Sequence, residues 1–223
     1  MTGRLLAAAV GLTAFAGGAD GAPAASVCGP ATARTEAQSD VARVFRETRH
    51  GYAYSCVADR RGARRIPMWA PSQLSPAGIG PFAVEGTTAA YGAMADARID
   101  WWARVLVRDL RTGERLRSIR AFSPTPNLAP SLSPTPYGVR SVVVWAETLS
   151  VAYIVANPYA DDGTFEVWRA EGAADEPTRL DAGDAIAPRS LRLKGTTLRW
   201  RNGGAWRTAT LDAPPATLPP APR

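Results

Sequence analysis

The chain has 223 residues, 46% of them hydrophobic and 21% charged, with a net charge of +6, one histidine and two cysteines. That length gives one domain with a sizeable core, and a zinc site, which needs several His or Cys ligands, could be assembled only if the two cysteines stay unpaired. Lys194 is the only lysine among 26 basic residues; beside abundant Ala, Gly and Pro, this arginine excess follows high-GC codon usage, so the basicity is compatible with anionic wall polymers or lipid headgroups and demands neither.

Residues 1–24 read as a secretory signal. Arg4 supplies a positive start, residues 5–16 (LLAAAVGLTAFA) an uncharged apolar run, and Ala22-Pro23-Ala24 the small residues a signal peptidase requires. The run is too short to cross a bilayer core of about 30 Å as a helix, and Val27 before Cys28 is too large for lipidation. The expectation is a secreted or extracytoplasmic protein of the cell envelope with no transmembrane segment. In that compartment Cys28 and Cys56 are expected to form one disulfide.

Residues 25–212 read as a single all-β domain built from a repeat. Small or β-branched residues lead to an aromatic at Phe45, Tyr91, Tyr153 and Trp200, spaced 46, 62 and 47 apart. The long interval contains a Pro-rich insertion, residues 123–138 (SPTPNLAPSLSPTPYG), and removing its sixteen residues restores the 46-residue period. Residues 35–47 carry an amphipathic pattern, but the repeat aligns 41–45 with strands. The first copy continues as a strand at 52–58 and a turn Asp59-Arg60-Arg61-Gly62. The second has the clearest hairpin: Trp101, Ala103, Val105 and Val107 alternate with Trp102, Arg104, Leu106 and Arg108, Gly113 turns the chain, and 115–119 returns. The third gives strands at 164–170 and 178–180. The fourth has three strands, 190–194, 196–201 and 205–211, and lacks a fourth; residues 31–38 are expected to pair with it and close a ring. Residues 213–223 (APPATLPPAPR) are expected to be a disordered tail.

Repeats of this length with several strands each read as propeller blades, so the fold class is all-β, a small or incomplete β-propeller of four repeats of about 46 residues. A β-sandwich is the alternative. Residues 103–113 (ARVLVRDLRTG) resemble the hairpin of many bacterial β-propellers, an alternating strand followed by Asp-Leu-x-Thr-Gly. The mature chain is also similar to exported proteins of high-GC bacteria that begin with Cys-Gly-Pro, as Cys28-Gly29-Pro30 does, and end with Leu-x-Trp-x-Asn-Gly-Gly, as residues 198–204 do. The resemblance implies a fold and no particular activity.

Candidate sites are few. His50, the only histidine, lies in a turn with no nucleophile motif near it, and reads as solvated. Gly78-Ile79-Gly80 precedes Pro81 and reads as a loop rather than a phosphate cradle. Asn157, Asp161, Asp162, Asp181 and Asp184 read as turn residues rather than calcium ligands. Arg60, Arg61, Arg64 and Arg65 read as a solvated turn, with phosphate binding as the alternative. Trp101 and Trp102 are expected in the core, with Trp102 sharing its face with Arg104 and Arg108. Trp206 is expected opposite Arg199 or Arg201 if a two-residue turn closes the last hairpin, forming a cation–π face, and opposite Trp200 if the turn has three. The binding candidates are thus Trp206, Arg199, Arg201 and Trp102. No catalytic set, metal or cofactor is expected. The function expected is a non-catalytic binding or interaction module whose partner is an envelope polymer or protein, not a nucleic acid. The alternative is a hydrolase using two carboxylates from among Glu147, Asp161, Asp162 and Glu166.

Overall fold

The computed structural model describes residues 28–47, 52–67, 78–96, 101–121, 138–156, 164–172, 174 and 176–211, without the side chains of residues 95, 96, 101 and 102. The signal segment, His50, most of the Pro-rich insertion, Asn157, Asp161, Asp162 and the tail lie outside the described residues.

The described residues hold fifteen strands and no helix. They form four antiparallel sheets, each a meander in chain order. The first contains β1 (Arg34–Gln38), β2 (Ala42–Arg46), β3 (Ala53–Val57) and β4 (Arg64–Arg65). The second contains β5 (Gly78–Glu85), β6 (Thr88–Asp96), β7 (Trp101–Asp109) and β8 (Arg115–Arg120). The third contains β9 (Gly138–Trp145), β10 (Ser150–Ala156), β11 (Phe165–Ala170) and β12 (Thr178–Gly183). The fourth has three strands, β13 (Arg192–Lys194), β14 (Thr197–Asn202) and β15 (Ala205–Thr210). The four repeated aromatics all fall on the second strand of their sheet and are buried. The shared Gly-Thr-Thr is the turn between first and second strands of the second and fourth sheets, where Glu85 pairs with Thr88 and Lys194 with Thr197.

Successive sheets pack through three apolar cores. Val44 and Ile66 meet Phe82 and Tyr91; Val105 and Val107 meet Val142 and Tyr153; Ile154 and Val167 meet Leu198 and Trp200. The third sheet is apolar on both faces, so every residue of β10 is buried and the strand reads as a continuous apolar run. Burying one Val or Leu side chain contributes about 1.5–3 kcal/mol, which makes these interfaces the main source of cohesion. Polar ties reinforce them. The Ser39 hydroxyl donates to the Gly86 carbonyl at 2.7 Å, and the Ala146 N–H donates to Glu85 at 2.6 Å. The first strands lie in a row, β1 beside β5, β5 beside β9 and β9 beside β13.

Two expectations change. Residues 34–38 pair with β2, not with the last sheet, and no β1–β15 pairing exists among the described residues. The cause is local. Ser39 accepts the Ala42 N–H on its hydroxyl at 3.0 Å, and its own N–H donates to the Ala42 carbonyl at 2.8 Å, folding the segment back on its neighbour. Short loops close at lower entropic cost than a pairing across the whole chain. Gly78-Ile79-Gly80 opens β5 instead of forming a loop.

Candidate functional site: the outer face of the fourth sheet

The last hairpin turns on Gly203 and Gly204, with φ of +58° and +80°. Both values belong to a two-residue turn that glycine adopts without strain. Asn202 therefore pairs with Ala205, Arg201 with Trp206, and Trp200 with Arg207. Of the three arrangements open from the sequence, the one with Trp206 opposite Arg201 is present. Arg199 is diagonal to it, and both guanidinium groups lie over the indole, at 4.9 Å for Arg199 and 5.0 Å for Arg201.

Strand alternation then sorts the sheet. Leu198 and Trp200 enter the core shared with the third sheet. Thr197, Arg199 and Arg201 of β14 face outward with Trp206, Thr208 and Thr210 of β15, and all are exposed. The tight turn at Gly195 adds two residues that sequence reasoning did not single out: Arg192 lies opposite Arg199, and Lys194 opposite Thr197. Four cations, one indole and three threonines thus share one face without a carboxylate. None of the four cations has an ion pair among the described residues. Arg192 donates only to carbonyls, of Arg189 at 3.2 Å and Leu191 at 2.8 Å. Like charges directly opposite on adjacent strands are destabilising, and no carboxylate among the described residues neutralises the Arg192–Arg199 pair, whose guanidinium groups meet only carbonyls and the Trp206 indole. Trp206, at 43% exposure, is the only exposed large hydrophobic side chain among the described residues.

The platform beneath is fixed. The Trp200 indole N–H donates to Asp181 at 2.7 Å, and the Asn202 amide donates to the same oxygen at 3.0 Å. Asp181 is thus a structural tie on β12 rather than a turn residue. Residues 185–187 run alongside β14, with an Ile186–Asn202 bridge. Trp102 is not part of this site: it lies on β7 of the second sheet, paired with Ala95.

Other candidates resolve differently. Cys28 and Cys56 are disulfide-bonded, with Cα atoms 5.8 Å apart. The segment from Cys28 is also held by buried Arg43, which donates to the carbonyls of Cys28, Pro30 and Ala33 and to the Thr35 hydroxyl. Glu166 is buried and accepts the Trp168 indole N–H at 2.9 Å, with Arg179 at 3.4 Å. Glu147 lies exposed in the turn after β9. No cluster of three metal-ligating side chains exists among the described residues. A groove of about 530 Å³ follows the first strands, between Val84 of β5, Val143 and Trp145 of β9, and Leu193 of β13. Burial, and secondarily the charge of Glu166, raise the Tyr153 pKa well above the ordinary phenol range.

No protein-family model matches the chain, and a search of curated proteins finds none similar to it.

Proposed function

We propose that this protein is an exported, non-catalytic binding module that holds an anionic polymer of the cell envelope across the β13–β15 face. The observation that carries the reading is the opposed Arg192–Arg199 pair, with Arg201 and the exposed Trp206 beside it. An anion lying on that face relieves the repulsion and takes charge-assisted hydrogen bonds from the guanidinium forks. The indole, steadied by two arginines, offers an apolar edge for a sugar ring.

The scaffold is a small, incomplete β-propeller. Four meander sheets in chain order and their adjacent first strands support that reading, and the solvent-exposed outer face of the fourth sheet is where the ring stays open. Export is supported by residues 1–24 and by the disulfide. A carboxylate-dependent hydrolase has less in its favour, because Glu166 is already engaged by Trp168 and Arg179.

Affinity capture against envelope fractions tests the function. The protein is expected to retain an acidic polymer, and capture is expected to fall when the fraction is stripped of anionic polymer. Equal retention from stripped and intact fractions counts against the proposal.

A further inference from the structure

The tips of the first two sheets meet at a second basic site, independent of the β13–β15 face. The β3–β4 turn carries Arg60 and Arg61, Arg64 and Arg65 form β4, and the β7–β8 turn carries Arg111. These five arginines, with no carboxylate, line a cavity of about 460 Å³ floored by Val57 and Leu110. The two turns are joined by their own side chains. Arg60 donates to the Arg111 carbonyl at 2.9 Å, Arg64 donates to the Thr112 carbonyl, and Arg111 pairs with Asp59 beside the cavity. Gly113, at φ +80°, leaves the space that the Arg64 guanidinium fills. Arg65 stacks over Tyr52 at 3.7 Å. Arg61 has no partner among the described residues.

The two arginines held by carbonyls keep their remaining N–H groups in fixed directions, and Arg61 is uncommitted. Fixed donors reduce the ordering cost of binding, and several guanidinium groups around one concavity raise the local concentration of anions. The planar guanidinium fork suits phosphate oxygens. We infer that this cavity binds the phosphate groups of a linear polyanion, a chain of phosphates or phosphodiesters. A membrane surface fits less well: Trp206, the only exposed large apolar side chain among the described residues, belongs to the other site.

Titration calorimetry of the mature protein with inorganic tripolyphosphate tests this. At least one equivalent is expected to bind. Arg61→Glu, at a solvent-exposed turn, is expected to weaken binding about tenfold or more, since a charged hydrogen bond contributes roughly 1.5–3 kcal/mol, while leaving the thermal melt unchanged. Gly113→Ala is expected to weaken it as well, by displacing Arg64. The Arg199→Ala/Arg201→Ala variant is expected to bind tripolyphosphate at this site like the wild type, which separates this inference from the function proposed above. Three results overturn it: affinity unchanged in Arg61→Glu, loss confined to the Arg199→Ala/Arg201→Ala variant, or citrate binding as tightly as tripolyphosphate. Co-sedimentation with phosphatidylglycerol vesicles that Arg61→Glu abolishes reassigns the cavity to lipid headgroups and also overturns it.

Discussion

Trp200 donates its indole N–H to the Asp181 carboxylate at 2.7 Å, and this bond ties the fourth sheet to the third. Trp200 is buried at the sheet interface, directly behind the cationic face. Asp181→Ala removes the acceptor and leaves a buried donor unpaired, which costs about 1–3 kcal/mol. Urea unfolding is expected to show that loss as a lower midpoint at unchanged slope, because the buried surface stays the same.

Trp206 behaves oppositely. It is 43% exposed, so Trp206→Ala removes chiefly its two cation–π contacts, about 0.5–1 kcal/mol each at an exposed site, and little core packing. The melting temperature is expected to move little while affinity for an acidic polymer falls. A large loss of stability in this variant would place Trp206 in the packing rather than in recognition.

The Cys28–Cys56 bond closes a loop with a sequence separation of 28. On the loop-entropy model its removal costs roughly 3–4 kcal/mol. Cys28→Ser/Cys56→Ser is expected to lower stability by that amount in chemical denaturation. Arg43→Ala is expected to add less in that background than in the wild type, because both act on the same segment, and contacting elements are not additive.

Tyr153 gives a pH prediction. Its phenol is buried and donates to the Arg120 carbonyl at 3.1 Å. Its native pKa is raised above the ordinary value of 10, so the native state retains a proton that the unfolded state loses. Stability from this group is complete below about pH 10 and declines as pH rises above it. Thermal melts across the alkaline range are expected to fall from that point in the wild type. In Tyr153→Phe the fall is expected to be shallower, from a lower starting stability. Equal slopes in both proteins would contradict the assignment.

Much of the architecture was legible in the sequence because it rests on period and turn chemistry. Phe45, Tyr91, Tyr153 and Trp200 mark the same strand of four sheets, and the Gly203-Gly204 turn fixes what faces Trp206. The partner of the strand at 34–38 differs from the expected last sheet because the Ser39 turn, whose hydroxyl accepts the Ala42 N–H, favours the local hairpin. β5 was missed because Gly78, Gly80 and Pro81 have loop propensity, overridden here by packing against β6 and β9. The stacking of Arg199 and Arg201 on Trp206 was legible from register alone. Arg192 and Lys194 were within reach of the same logic, through the turn at Gly195. Arg111 was not: its meeting with Arg60 and Arg64 depends on how two sheets stack, which no local pattern encodes.

The most direct test of the β13–β15 face is titration with an acidic glycan, hyaluronate, at several salt concentrations, using the wild type and Arg199→Ala/Arg201→Ala. The account predicts affinity that weakens with rising salt and is at least about tenfold lower in the variant, each lost charged contact being worth roughly 1.5–3 kcal/mol. Binding that is insensitive to salt, or the same in both proteins, would contradict it.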